Sequence, residues 1–260
     1  MKEIIPDPKF AGRILNAGAV LRDEVDRLKF SEPVAHVYNP LRYAWPMHEA
    51  YVRRYGTGPR RVLLLGMNPG PWGMAQTGVP FGEIAAVRDW LQLEASVSRP
   101  EGEHPKRPVM GLACTRSEVS GRRLWGYFAD KFKSPDGFFA EHFVLNYCPL
   151  VFLEDTGRNR TPDKLPAAEA APLFTACDKR LRKAVELFQP EWLVGVGGFA
   201  KKKLEILFGA GPKKKGQPTP QKVGATRIGV ILHPSPASPA ANRGWAEAAE
   251  RQFYEQGIWK

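Results

Sequence analysis

Four short apolar runs punctuate the chain: Arg61–Leu65, His142–Asn146, Glu191–Val196 and Thr226–Leu232, each bounded by glycine, proline or asparagine. Their length and composition predict buried strands. Between them the apolar positions fall at helical spacing. Pro80–Glu94 carries Phe81, Ile84, Val87 and Leu91 at intervals of three and four, and Phe174–Phe188 carries Leu181, Val185 and Phe188 on one face with Lys179, Arg180, Arg182 and Lys183 elsewhere. Strands separated by helices predict an α/β fold, a three-layer sandwich in which a central, mostly parallel four-stranded sheet is flanked by helices. The ligand crevice of such a sheet lies beyond the carboxyl ends of its strands. Asn68, Asn146, the glycines after Val196 and His233 all stand at or just past a predicted strand end, so one crevice can collect them.

Two of these strand ends open into constrained loops. After the first strand comes Gly66-Met67-Asn68-Pro69-Gly70-Pro71-Trp72-Gly73, where two prolines fix φ and three glycines let the backbone approach a neighbour closely. After the last comes His233-Pro234-Ser235-Pro236-Ala237-Ser238-Pro239, then Ala240 to Trp245. Three prolines make that segment stiff, so it can be pushed into a partner with little further ordering. Read singly, these residues leave alternatives open. Asn68 also suits a turn former, His233 a satisfied strand-end histidine, Phe81 a core position and Asn146 a strand-end turn residue.

Taken together the two loops resemble the uracil-DNA glycosylase superfamily, and within it the single-strand-selective monofunctional uracil-DNA glycosylases. Val37 to Leu41 with Tyr43-Ala44-Trp45, and Asn146 to Leu150 with Gly157-Arg158-Asn159, are similar to the same family, so the resemblance covers roughly residues 20 to 258. It implies a monofunctional DNA glycosylase that excises uracil, and related modified or deaminated bases, to leave an abasic site in base excision repair. It implies catalytic roles for Asn68, which positions the attacking water, and His233, which donates a hydrogen bond to uracil O2. Phe81 stacks on the extruded base, Asn146 reads its N3–H and O4, and Met67 and Gly70 line the wall near C5, with Gly70 keeping that space open. DNA contacts fall to Arg158, Arg160 and Lys164 in the loop from Thr156 to Pro166, and to Ala237, Ser238 and Arg243 in the wedge. No cofactor is implied. The chain departs from the family pattern at Ala237, Ser238, Trp72 and Arg243, where many members carry arginine, asparagine, phenylalanine and lysine; the first two leave a smaller wedge.

A formal charge of +11 and a pI near 9.7 favour a polyanionic partner, here DNA, single- or double-stranded. Cys114, Cys148 and Cys177 are too few and too scattered for a four-thiolate cluster and read as reduced, buried thiols, and the five histidines show no metal-ligand spacing. Gly195 to Ala200 fits a dinucleotide fingerprint, but the next strand ends at His233 rather than at an acidic residue; with Lys201 to Lys203 it suits a phosphate contact or a solvated basic helix face. The stretches Ser98–Pro108 and Gly211–Lys222, the latter with Lys213 to Lys215, read as surface insertions. A single domain over residues 1–260 is expected, a monomer without a signal core or spanning segment, and therefore intracellular. The rival reading is a non-catalytic nucleic-acid-binding module on the same fold.

Overall fold

A computed structural model of the protein describes residues 8–209 and 226–260. Its strands are His36–Tyr38 (β1), Val62–Gly66 (β2), His142–Asn146 (β3), Val151–Leu153 (β4), Asn159–Arg160 (β5), Trp192–Val196 (β6) and Arg227–Ile231 (β7). The four predicted strands form one sheet in the order β3-β2-β6-β7, and every pairing is parallel. Every residue of β2, β3 and β6 is buried, as a parallel sheet covered on both faces requires. The register puts Gly66 beside Asn146, Leu65 beside Gly195 and Val196 beside Ile231, so the carboxyl ends finish level with one another. Arg61 stays outside β2, with its guanidinium on Glu141 at 2.9 Å and on the Ile258 carbonyl at 2.8 Å.

The helices are Pro8–Val25 (α1), Pro40–Tyr43 (α2), Trp45–Tyr55 (α3), Met74–Thr77 (α4), Val119–Phe132 (α5), Pro135–Phe139 (α6), Ala167–Phe188 (α7), Gly198–Phe208 (α8), Pro239–Asn242 (α9) and Trp245–Glu255 (α10). Helix α1 packs along α7 and touches α3, α8 covers β6 and β7, and α10 bridges β7 and α5. No helix among the described residues is long and apolar enough to cross a membrane.

Two predicted helices differ from those found. Pro80–Glu94 is not one helix. Phe81 adopts a left-handed φ of 54°, and the backbone bonds Gly82 N–Val79 O and Glu83 N–Phe81 O fold residues 79–83 into tight turns, leaving one π-helical turn at Ala86–Trp90. The helix predicted from Phe174 begins seven residues earlier, at Ala167, and runs through Pro172, which lies inside it and supplies no N–H to its second turn. A second sheet, β1-β4-β5, is antiparallel and was not predicted, since strands of two or three residues carry no readable period. The stretch Ser98–Pro108 is no loose insertion. The Tyr38 hydroxyl donates to the Arg107 carbonyl at 2.9 Å and accepts from the His104 N–H at 2.6 Å. Gly211–Lys222 lies outside the described residues.

Burial pushes His48 and His142 down to about 4. His142 is held in one neutral tautomer: its Nε2 accepts from Trp259 Nε1 at 2.9 Å while Nδ1 donates to the Phe138 carbonyl at 3.0 Å. Both values lie below the ordinary 6.5, so the folded state binds fewer protons than the unfolded state between pH 6.5 and 4. Their stabilisation is complete above pH 6.5 and is lost as pH falls towards 4, on the order of a few kcal/mol per histidine. Urea midpoints measured across this window are expected to drop steeply with falling pH; a flat profile would contradict the assignment.

Candidate active site

The site is built around the last residue of β2. A Cβ on Gly66 would run into Asn146 Oδ1 and lie 2.6 and 2.8 Å from Cε2 and Cζ of Phe81. The absence of that one carbon lets an aromatic ring and an amide converge at the strand end. Phe81 reaches this point from its left-handed turn, and its ring centroid is 6.1 Å from that of His233, tilted by 45°. On the other side, Gly197 has a φ of 92° and a Cβ there would lie 3.0 Å from His233 Cβ, so the turn from β6 into α8 passes directly against the histidine. Gly195 in turn lets α8 close on the sheet, since a Cβ would lie 2.7 Å from Lys201 Cα. The glycine run after β6 thus serves backbone contact. Of the lysines that follow, Lys203 is folded over the Phe174 ring at 3.4 Å and Lys201 lies 3.6 Å from Glu205.

Asn146 is buried, with Nδ2 facing only the weak acceptor Met74 Sδ at 3.2 Å and Oδ1 sequestered without any hydrogen-bond partner. An unpartnered buried polar atom costs about 1–3 kcal/mol, and native structures keep few of them without use. Behind it, buried Arg180 makes a long bond (3.4 Å) to the Asn146 carbonyl. His233 is pushed down to about 4 by burial, so at neutral pH it is an uncharged donor. Asn68 directs Nδ2 to the Leu150 carbonyl at 3.3 Å and the Pro69 carbonyl at 3.4 Å. Both partners only accept, which fixes the amide orientation and turns Oδ1 out as an acceptor. Asn68 is therefore cross-braced rather than a self-contained turn former.

The loop that carries Asn68 is held at each step. Tyr147 N–H donates to Gly66 O at 2.9 Å and Cys148 N–H to Met67 O at 2.8 Å, so Met67 contributes backbone. Asn159 Nδ2 donates to Pro69 O at 3.2 Å, and Gln76 Nε2 to Pro71 O at 3.0 Å. Tyr43 from the earlier motif donates to the Ala75 carbonyl at 2.5 Å. Gly70 has a close neighbour that the sequence does not reveal. The space above it is filled by the Glu118 carboxyl group, whose Cδ would lie 2.6 Å from a Cβ at that position, and Glu118 Oε2 accepts the Trp72 N–H at 3.2 Å. Gly70 thus makes room for this carboxyl. Burial raises the Glu118 carboxyl above its ordinary value.

The expected DNA contacts divide. Arg158 and Lys164 are exposed, whereas Arg160 pairs with Glu154 at 2.9 Å and donates to the Lys164 carbonyl at 3.2 Å, so it braces its own loop. Ser238 caps α9, its Oγ accepting from Ala241 N–H at 3.3 Å, which turns the hydroxyl inward; Ala237 and Arg243 are exposed. Arg123 on α5 was not singled out in the sequence. It donates to the Pro234 and Ser235 carbonyls at 3.2 and 3.3 Å and to Asn242 Oδ1 at 2.9 Å, pinning the proline-rich loop. Glu118, Gln76 and Arg123 have no spacing that marks them; Asn159 stood in a matched motif without an assigned role. All three cysteines are buried and free, and no group of metal-ligating side chains is assembled among the described residues.

Level parallel strand ends that gather an aromatic face, a buried unpaired amide, a neutral imidazole and a braced second amide form a receptor for a flat, hydrogen-bonding heterocycle, which places the chain among nucleobase-binding α/β proteins. Residues 54–256 match the Uracil DNA glycosylase superfamily. The chain is 48% identical over 239 residues to the single-strand selective monofunctional uracil-DNA glycosylase of Rattus norvegicus, covering 92% of this chain and 82% of that protein. It is 47% identical over 254 residues to the Bos taurus protein of the same name, covering 97% and 89%. The chain belongs to the single-strand-selective monofunctional uracil-DNA glycosylases of the uracil-DNA glycosylase superfamily. The crystal structure of Pedobacter heparinus SMUG2 shares the fold at a TM-score of 0.57 and 16% identity, covering 94% of this chain and 99% of that one.

Gly66→Ala is expected to push Phe81 and Asn146 apart without unfolding the sheet. A displacement of about 1 Å at such a site costs roughly 10²-fold in rate. Single-turnover base release should fall by that order while far-UV circular dichroism is retained; an unchanged rate would show that the convergence at Gly66 is dispensable.

Proposed function

We propose that the protein excises uracil, and related modified or deaminated bases, from DNA by monofunctional hydrolysis of the N-glycosidic bond. The observation that carries this reading is the unpartnered Oδ1 of Asn146, buried beside the Phe81 ring. Its Oδ1 accepts the N3–H of an extruded uracil and Nδ2 donates to O4; cytosine inverts both demands and mismatches two buried groups at about 1–3 kcal/mol each. Phe81 supplies stacking, on the order of 1–3 kcal/mol and tolerant of base identity. His233 donates to O2.

As the C1′–N1 bond breaks, its electron pair passes to the base and a cationic sugar forms. The neutral His233 N–H then meets a developing anion, a contact stronger in the transition state than in the ground state. Asn68 Oδ1 accepts a hydrogen bond from a water whose oxygen forms the new bond to C1′, and the water's proton leaves to solvent. An uncharged amide suffices because departure of the base generates the electrophile. The motifs that carry these groups, residues 66–83, 146–150 and 233–245, hold no lysine to act as an amine nucleophile, in keeping with hydrolysis without strand cleavage. The product is an abasic site, and no cofactor takes part.

The strand lies along the basic face with Arg158 and Lys164 on phosphates, and the loop held by Arg123 enters the stack vacated by the base. The protein acts inside the cell as a monomer, on both single- and double-stranded DNA. Nothing observed favours a module that binds without turnover.

Two predictions test this. Asn68→Ala and His233→Ala should each slow single-turnover release of uracil by about 10²–10³ with DNA affinity nearly intact; near-wild-type rates in both would sink the mechanism, and binding without release by the wild type would establish the rival. Because Ser238 is committed to its cap, residue 237 is the free position of the wedge. Ala237→Arg should raise activity on paired uracil more than on single strands at fixed salt, since unstacking costs a few kcal/mol in a duplex and less where the base is loose. An equal change on both substrates would remove residue 237 from base extrusion.

A further inference from the structure

The region around Trp72 holds a feature that the base pocket does not use. A cavity of about 440 Å³ lies between Trp72, in the Asn68 loop, and the segment 105–116. It is lined by Lys106, Arg107 and Arg116, and no carboxylate is among its lining residues. Both guanidinium carbons sit over the indole, at 5.2 Å for Arg107 and 4.7 Å for Arg116. Stacking against a ring fixes a guanidinium plane while leaving its N–H edges free to donate. No carboxylate lines the cavity to pair with either arginine; Arg107 Nη1 donates to the Lys106 carbonyl at 2.9 Å, while its Nε is buried without any hydrogen-bond partner.

The walls are rigidly joined to the catalytic loop. Buried Gln76 donates to both the Pro71 carbonyl (3.0 Å) and the Pro108 carbonyl (2.9 Å) and accepts from Met110 N–H (2.8 Å), so one side chain clamps the two sides together. Tyr38 holds the Arg107 carbonyl from below. The cavity also adjoins the loop that bears Arg158, since a Cβ on Gly157 would lie 3.5 Å from Arg107 Cζ. Cations therefore continue from exposed Arg158 through half-buried Arg107 to exposed Lys106 and Arg116, alongside the loop that carries Asn68.

We propose that this cavity is a phosphodiester-binding subsite for the strand carrying the target base, with Arg107 and Arg116 as its ligands and Lys106 adding charge at the rim. It rests on the reading of the chain as a DNA glycosylase and adds a contact point that fixes the strand relative to Asn68. Phosphate is the chemistry indicated: two guanidiniums stacked on one indole, with no counter-carboxylate among the residues that line the cavity, suit a diester's paired oxygens.

The test measures the affinity of an oligonucleotide carrying 2′-fluorinated deoxyuridine, which resists cleavage, against salt concentration. Arg116→Gln and Arg107→Gln should each reduce the slope of log K against log salt by about 0.7 on a single strand, the value of one lost phosphate contact. Arg53→Gln, on α3 and paired with Glu49, should leave it unchanged. A methylphosphonate scan of the oligonucleotide should find one phosphate near the uracil whose neutralisation weakens the wild type severalfold and Arg116→Gln hardly at all. Unchanged slopes in both variants, or a scan with the same profile in wild type and Arg116→Gln, would overturn the proposal. Failure of the glycosylase reading would appear separately, as no uracil release by the wild type.

Discussion

The pocket depends on one close approach: Phe81 and Asn146 meet over Gly66, where no side chain fits between them. Everything else at the site follows from holding that junction. The in-register parallel pairing of β2 and β3 sets Gly66 beside Asn146, and the left-handed turn at Phe81 brings the ring back over the strand end. Because φ > 0 is costly for a bulky residue, the turn must be over-determined by its surroundings, and the hydrogen bonds of Thr77 Oγ1 to Gly82 O and of Trp125 Nε1 to Pro80 O do this.

The chemistry follows from how little charge the pocket contains. His233 is kept neutral by burial, Asn68 and Asn146 are amides, and Phe81 is apolar. A neutral pocket gives a resting base little electrostatic stabilisation, whereas the leaving anion meets preorganised donors in a dry environment where they act most strongly. Apart from buried Arg180 behind Asn146, the cations discussed above stand outside the pocket, with Arg158, Lys164 and Arg116 exposed, where the proposed phosphate contacts would be made. The same separation explains why so many braces converge on the Asn68 loop: five partners outside the loop, Leu150, Cys148, Asn159, Gln76 and Glu118, fix its polar atoms.

The central sheet was legible because its strands, three of them fully buried and β7 partly exposed at the edge, read as short apolar runs, and strand-end chemistry then located the crevice. Asn68, Phe81, Asn146 and His233 were legible as a set only through the family resemblance; singly, each has an ordinary structural explanation. Phe81 shows why local periodicity fails. The apolar spacing from 81 to 91 is helical, yet residues 79–83 are turns, because close contact with Gly66 outweighs helix propensity. The contact of Gly70 with Glu118 was not legible, because the two are 48 residues apart and no spacing announces it. Ser238 and Arg160 likewise carry side chains suited to DNA that the fold has already committed to a helix cap and an ion pair.

The central claim is that one extruded uracil meets Phe81, Asn146, His233 and the Asn68-bound water simultaneously. A crystal structure with an oligonucleotide containing 2′-fluorinated deoxyuridine opposite guanine tests it most directly. The base should lie parallel to the Phe81 ring with Asn146 Oδ1 and Nδ2 about 2.7–3.2 Å from N3 and O4, a His233 ring nitrogen at the same distance from O2, and a water on Asn68 Oδ1 facing C1′. A well-ordered uracil bound elsewhere, or seated in the pocket with Asn146 Oδ1 still unpartnered, would contradict the account.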